Sequence, residues 1–332
     1  MSNANIARLT VIRPTMFHRD LRRVGAGWEN SSIRHCVTWV GRVGHPASPY
    51  PVGMSIEVSE SRVVAGDVEL AVVQAGAGGE PLLLVHGFTG SKEDFGDEME
   101  RLAARGFHVV APDLRGHGSS DQPGDEADYS LAVFADDMWA LADAVGWDRF
   151  HLLGHSMGGM IAQVMVLARP DRVHRLVLMD THHGVVPDLD PDIIALGVHV
   201  ARTEGLAVIQ AVLKMGRDPL TNPAYDRVCR ERPGYEEWSD AKMLRCSAVM
   251  YASMLAQLAS TEDRLDRLSA IGCPALVMVG ELDAPFLDAS KRIAERIPAA
   301  TLDVLPLGGH CPQFEATDAW RASFDRFLPG TP

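Results

Sequence analysis

The chain is poor in the features that would mark several common protein classes. It has five cysteines in 332 residues, at positions 36, 229, 246, 273 and 311. Their spacing matches no metal-ligand pattern, and an odd count makes a poor disulfide framework, so a reducing cytoplasm is the expected compartment. Basic charge is scarce: 31 Lys+Arg against 44 Asp+Glu leave a net charge of −13. Sequence-independent nucleic-acid binding needs a basic surface, so a nucleic-acid partner is not expected, and the same charge gives no purchase on anionic lipid. No apolar stretch approaches the roughly 20 residues of a membrane-spanning helix. Internal repeats and low-complexity tracts are also lacking. What remains is an ordinary globular composition, 46% hydrophobic and 23% charged, in a chain long enough for one large α/β domain with an inserted subdomain.

The charge is uneven. Residues 1–53 hold seven arginines, no lysine and only Asp20 and Glu29, so this segment is +5 and the remainder −18. Residues 1–58 are read as an Arg-rich N-terminal extension, disordered or not native, with Met54 as the natural start and Pro46, Pro49 and Pro51 as a linker before it. Such composition also fits an organelle transit peptide. A twin-arginine export signal at Arg22-Arg23 lacks the apolar region that should follow it.

Farther along, Val63-Val64 and Val68–Val73 alternate around Gly66-Asp67, the pattern of an antiparallel hairpin at a sheet edge. Apolar runs at 82–85, 107–111, 150–153, 173–179, 275–279 and 301–305 then alternate with helix-period stretches near 92–104, 131–145, 157–169, 288–297 and 315–328. Continuous apolar strands separated by helices predict an α/β fold, a mostly parallel sheet covered on both faces. The core is expected over 59–183 and 266–330. Between 184 and 265 no strand pattern occurs, but helical ones do, such as 193–216 and 243–258. A structureless loop of that length inside a compact domain is improbable, so this interval is read as an inserted helical cap.

The run Leu152-Leu-Gly-His-Ser-Met-Gly-Gly159 ends one apolar stretch and opens another of helical length. Gly-x-Ser-x-Gly in that setting reads as a nucleophile elbow, a sharp strand-to-helix turn exposing the Ser156 hydroxyl. Gly154 and Gly158 suit such a turn because side chains there would meet neighbouring backbone.

Four further segments accompany it: Pro81-Leu-Leu-Leu-Val-His-Gly-Phe-Thr-Gly90, Ala111-Pro-Asp-Leu-Arg-Gly-His-Gly-Ser119, Cys273-Pro-Ala-Leu-Val-Met-Val-Gly-Glu-Leu-Asp283 and Gly308-Gly-His-Cys-Pro312. In motif and order the chain resembles the α/β-hydrolase superfamily over roughly residues 60 to 328. The resemblance implies a cap placed after the sixth core strand, over the catalytic serine, and the catalytic order Ser, acid, His: here Ser156, Asp283 and His310. Serine is a weak nucleophile unless a base takes its proton, and an imidazole oriented by a carboxylate does this near neutrality. Asp283 follows an apolar strand and matches the family's Gly-x-x-Asp pattern. Asp180, at the end of the preceding strand, is the alternative acid, and Glu281 a lesser one. His310, with Glu315 opening the last helix, matches the family's His-x-x-x-x-Glu.

An oxyanion hole needs two backbone N–H groups aimed where negative charge develops. The resemblance assigns them to Met157 and Phe88, with His86, Gly87, Gly154 and Gly158 in support. His86, His155 and His117 are assigned to packing and loop geometry. His182-His183 is not expected to bind metal, because adjacent side chains do not easily point into one site. Cys311 has no expected role beyond that of a small buried hydrophobe.

A serine at the elbow disfavours the family's haloalkane dehalogenases and epoxide hydrolases, which use aspartate there. Cofactor-free hydrolysis of an ester or lactone of a small, largely apolar substrate is the expected reaction, with no metal. Carbon–carbon hydrolysis of a vinylogous diketone, and haloperoxidase or perhydrolase activity, are the alternatives. A non-catalytic ligand receptor is the alternative of another class, but such relatives usually lose a triad member or the oxyanion glycine. The cap residues Met215, Met243, Met250, Tyr251, Met254 and Leu255 suit either an apolar pocket lining or plain core. The expected partner is a small-molecule substrate, and a homo-oligomer stays open.

Overall fold

The apolar runs pair into one eight-stranded sheet in a computed structural model that describes residues 56–186, 190–217 and 220–330. The extension expected over residues 1–58 lies almost wholly outside the described residues. The strands are β1 (Val58–Ala65), β2 (Val68–Ala75), β3 (Glu80–Val85), β4 (Phe107–Pro112), β5 (Phe150–His155), β6 (Val173–Met179), β7 (Ala275–Gly280) and β8 (Ala300–Leu305). Their spatial order is β1-β2-β4-β3-β5-β6-β7-β8. β2 pairs antiparallel with β1 and β4, and every other pairing is parallel.

Among the described residues the α-helices are α1 (Met99–Ala104), α2 (Leu131–Ala144), α3 (Met157–Ala168), α4 (Pro191–Thr203), α5 (Leu206–Val212), α6 (Pro223–Glu231), α7 (Tyr235–Leu244), α8 (Ala248–Leu258), α9 (Ala284–Arg296), α10 (Pro312–Glu315) and α11 (Thr317–Phe327). Helices cover both faces of the sheet, which is why the central strands β3, β5 and β7 read as largely apolar runs, whereas the edge strand β8 carries Asp303 and an exposed Val304. Leu82, Leu84, Leu153 and Val177 bury against Phe95, Met99, Trp320 and Phe324 on one side. Leu83, Val85, Leu152 and Leu176 bury against Phe134, Met138, Ile161 and Ile293 on the other.

Helix boundaries depart from the periodicity where a local signal intervenes. The stretch expected as one helix over 193–216 breaks at Gly205, whose φ of 81° a helix cannot use. The stretch 243–258 divides before Ser247, whose hydroxyl accepts from the Met250 N–H and caps α8. Residues 92–98 wind as a 3₁₀ turn rather than as the first half of α1. α9 starts at Ala284, earlier than expected, with Pro285 in its first turn. The last helical stretch divides at Ala316, so Glu315 ends α10 rather than opening the final helix.

Helices α4–α8 lie between β6 and β7 and rest on loops at the carboxyl ends of the strands. Ser247 N–H donates to the Gly116 carbonyl over 2.7 Å. Arg227 Nη2 donates to the Leu307 carbonyl over 2.8 Å and also reaches the Glu315 carbonyl. Lys242 pairs with Asp94, both nearly buried. No helix among the described residues is long and apolar enough to cross a membrane.

Candidate active site

Strand order changes direction between β3 and β5: the chain proceeds from β3 to its neighbour β4 on one side, and from β5 outward through β6, β7 and β8 on the other. Open α/β sheets bind ligands at the carboxyl end of such a switch point. The segments that leave β3 and β5 there are His86-Gly87-Phe88 and Ser156-Met157.

Ser156 sits between β5 and α3 at φ 53° and ψ −119°, a backbone conformation that L-residues avoid. Neighbours over-determine this strain. Ser156 N–H donates to the Met179 carbonyl over 2.9 Å, and its own carbonyl accepts from Thr181 Oγ1 over 2.6 Å. The turn is tight enough that a Cβ on Gly154 would meet the Gly158 carbonyl oxygen at 2.2 Å, and one on Gly158 would meet the Val85 carbonyl oxygen at 2.3 Å.

Val85 pairs with Gly154 across β3 and β5, which sets the loop after β3 beside the serine. His86 fixes that loop. Its Nε2 accepts from Leu114 N–H over 3.0 Å, so the proton is on Nδ1, which donates to the Gly87 carbonyl over 2.8 Å. Burial lowers the pKa of His86. Among the described residues the N–H groups of Phe88 and Met157 meet no hydrogen-bond acceptor. The Phe88 ring stacks on Tyr251 of α8 at 4.8 Å.

Asp283 follows β7 and His310 follows β8, neighbouring strands. His310 Nδ1 donates to Asp283 Oδ2 over 2.8 Å, and both side chains are buried. The loop carrying His310 is held from two directions. Glu315 Oε2 accepts from the N–H groups of Gly309 and Cys311 over 2.7 and 3.1 Å. His155 Nε2 donates to the His310 carbonyl over 2.7 Å. Burial pushes the His155 pKa down to about 3, so it is neutral and suited to this bond. The Phe286 ring lies 4.6 Å from that of His310.

Asp180 also ends in this cluster. It is fully buried at φ 45°, and its Oδ1 accepts from Gly280 N–H over 2.8 Å. Asp180, Asp283 and His310 each present a polar atom within 4.8 Å of the other two. The hydrogen bond of His310 goes to Asp283 rather than to Asp180. Proximity of two acids is the feature that sequence reading did not supply; it treated them as rivals. The remaining acid candidate, Glu281, turns outward and accepts from Leu307 N–H over 3.1 Å.

The other sequence candidates fall outside the cluster. His117 bonds through Nδ1 to the Arg115 carbonyl, packs edge-on against His86, and is pushed down to about 3 by burial. His183 Nδ1 meets Asp263 at 2.7 Å, while His182 Nδ1 accepts from Gly184 N–H over 3.0 Å, so the two rings serve different partners. Burial raises the Cys311 thiol pKa well above its usual value, which disfavours the thiolate. Met250 and Met254 are buried and Met215 is exposed, so these methionines do not form one lining. A cavity of about 470 Å³ bordered by Arg149, His174, Arg175 and Cys273 opens at the amino ends of β5–β7, away from Ser156.

Comparison with known proteins agrees with this architecture. The chain belongs to the alpha/beta hydrolase fold family, whose model matches residues 80–317, and it is a hydrolase. It is similar to a non-heme chloroperoxidase of Streptomyces lividans, with 30% identity over 68% of this chain and 82% of that one. Lipase 3 of a Moraxella species is 27% identical over 83% of this chain and 85% of its own length. Among solved structures, a thermophilic esterase from Thermogutta terrifontis superposes with a TM-score of 0.70 at 28% identity, over 82% of this chain and 98% of that one.

Proposed function

We propose that this protein hydrolyses a carboxylic ester or lactone of a small, largely apolar molecule through an acyl-enzyme on Ser156. The observation that carries this reading is the buried Asp283–His310 hydrogen bond beside a serine in a strained elbow. Asp283 fixes His310 with Nδ1 protonated, leaving Nε2 as the base for the Ser156 hydroxyl. As the hydroxyl attacks a carbonyl carbon, His310 takes its proton and the carbonyl oxygen becomes an anion. The N–H groups of Phe88 and Met157, which have no acceptor among the described residues, are the donors for that anion. The start of α3 adds a favourable dipole. His310 then returns the proton to the leaving alkoxide, and the steps repeat with water as nucleophile to free the acid.

Helices α4–α8 act as the cap that shapes the acyl pocket, with Tyr251 against Phe88 as its inner contact. Cys229, Cys246, Cys273 and Cys311 are free, which favours a reducing compartment, the cytoplasm. Interception of the same acyl-enzyme by peroxide is the second reading, favoured by the 30% identity to the Streptomyces chloroperoxidase.

A p-nitrophenyl ester series from acetate to decanoate tests the proposal. Turnover with an optimum at short chain length is the expected result, and competition from added hydrogen peroxide separates the second reading. Absence of turnover across esters and lactones would reject hydrolysis of either, and transfers the case to carbon–carbon cleavage when Ser156 still reacts with a fluorophosphonate.

A further inference from the structure

Two aspartates end in the site, and the proposed mechanism uses only one. Asp180 has no exposure, and its backbone keeps φ at 45°, a conformation that aspartate tolerates at some cost. It spans two strands: its N–H donates to the Met278 carbonyl over 2.9 Å, and its Oδ1 accepts from Gly280 N–H over 2.8 Å. Its second oxygen, Oδ2, is buried and meets no donor among the described residues. A carboxylate oxygen left so would carry the full cost of burying an unpaired charge. The Asp283 carboxyl lies within 4.8 Å, and no cation from the chain pairs with Asp180 among the described residues.

We propose that Asp180 is a positioning residue that stays protonated in the working protein, its Oδ2–H donating to the Asp283 carboxylate on the side away from His310. The pair then carries one negative charge and one shared proton, since two close carboxylates do not both ionise in a buried site. This arrangement gives Oδ2 its partner and holds Asp283 at both ends, from Asp180 and from His310.

Burial and the Asp283 charge both raise the Asp180 pKa well above the usual range. The groups facing it agree in sign. Glu315 on α10 disfavours a further negative charge, and so does Asp283 itself. Cys311 is a neutral thiol and His155 a neutral imidazole. His310 already spends its Nδ1–H on Asp283.

The inference rests on the hydrolase mechanism proposed above, but its first test does not. Infrared difference spectra of wild type against Asp180→Asn, at neutral pH, read the carboxyl directly. A protonated-carboxyl stretch present in wild type and absent from the variant is expected; carboxylate bands alone would overturn the proposal. The second test is the pH dependence of kcat/KM on a p-nitrophenyl ester. Asn puts an amide N–H donor toward Asp283 in place of the O–H and keeps the zero charge, so the acid limb stays where it is in wild type. Loss of an ionised Asp180 would instead remove a negative charge near His310 and move that limb to lower pH. Asp180→Ala lowers kcat by roughly tenfold to a hundredfold through misplaced geometry, and Asn recovers most of that loss. Equal losses in Ala and Asn would show a merely structural role and overturn the proposal. A stoichiometric metal ion bound by wild type and lost in Asp180→Asn would overturn it equally. No turnover and no Ser156 labelling in wild type would sink the proposed mechanism, while the infrared result still decides the protonation of Asp180.

Discussion

Gly87 and Ser156 lie so close that a Cβ on the glycine would stand 2.9 Å from the Cβ of the serine. The pairing of Val85 with Gly154 imposes this, because the residues that follow leave adjacent strands side by side. Gly87→Ala therefore displaces either the Phe88 N–H or the Ser156 side chain. The expected result is a loss of roughly 10²–10³ in kcat, the scale of one oxyanion donor, with an unchanged circular dichroism spectrum. Activity within a few-fold of wild type would remove Phe88 from the oxyanion hole.

The choice of acid is testable by a pair of amides. Asp283→Asn cannot hold His310 with the proton on Nδ1, and kcat should fall by about 10⁴. Glu281→Gln, whose carboxylate meets only the Leu307 N–H in the outer loop, should leave kcat near wild type. A reversed ranking would relocate the acid.

Buried histidines make the fold sensitive to acid. His117 and His155 are pushed down to about 3, and His86 is also lowered, in each case chiefly by burial. The unfolded chain takes up protons near pH 6.5 that the folded chain refuses, so stability falls as pH drops through that value. Each such histidine costs up to about 1.4 kcal/mol per pH unit. Asp180 has the opposite sign, because its raised pKa lets the folded state hold a proton that the unfolded state releases above about pH 4. Burial also raises the Asp137 and Glu315 carboxyls, which share that sign, but it lowers His108 and His151 and pushes His182 down to about 4, so the histidines outnumber the acids and the net is a loss. Urea midpoints between pH 7 and pH 5 should fall steadily with decreasing pH, and a flat profile would contradict the neutral histidines.

Lys242 and Asp94 join α7 to the turn after the His86-Gly87-Phe88 loop, and Lys242 Nζ also lies 4.1 Å from the centre of the Trp238 ring. Asp94 Oδ2 accepts from Ser91 N–H over 3.2 Å, so the pair steadies the loop as well as the helix. Lys242→Met leaves Asp94 buried and unpaired and should cost about 3 kcal/mol or more. Arg202→Met, at the exposed pair with Glu126, should leave the denaturation midpoint unchanged.

The strands and the elbow were legible because their signals are local. An apolar run such as 275–279 has one geometry available between covering helices, and Gly154 and Gly158 flank a serine where any side chain would strike backbone. Asp283 and His310 were legible through their motifs. Asp180 was visible only as a competitor, because its relation to Asp283 depends on β6 and β7 lying side by side, which residue order does not express. The interval between β6 and β7 was legible as helical but not in its divisions. Gly205 stops a helix there only because the chain takes an extended backbone with φ at 81°, and glycine within a helical pattern permits either outcome. The methionines at helical spacing carried no information on lining against core, and the structure buries Met250 and exposes Met215.

The central claim is that Ser156 is the nucleophile, and intact-protein mass spectrometry after fluorophosphonate treatment tests it most directly. The account predicts one phosphonyl group per chain, mapped to Ser156 and absent from Ser156→Ala, with ester turnover lost in parallel by about 10³–10⁶-fold. A label mapped to another residue, or turnover that survives in Ser156→Ala, would contradict it.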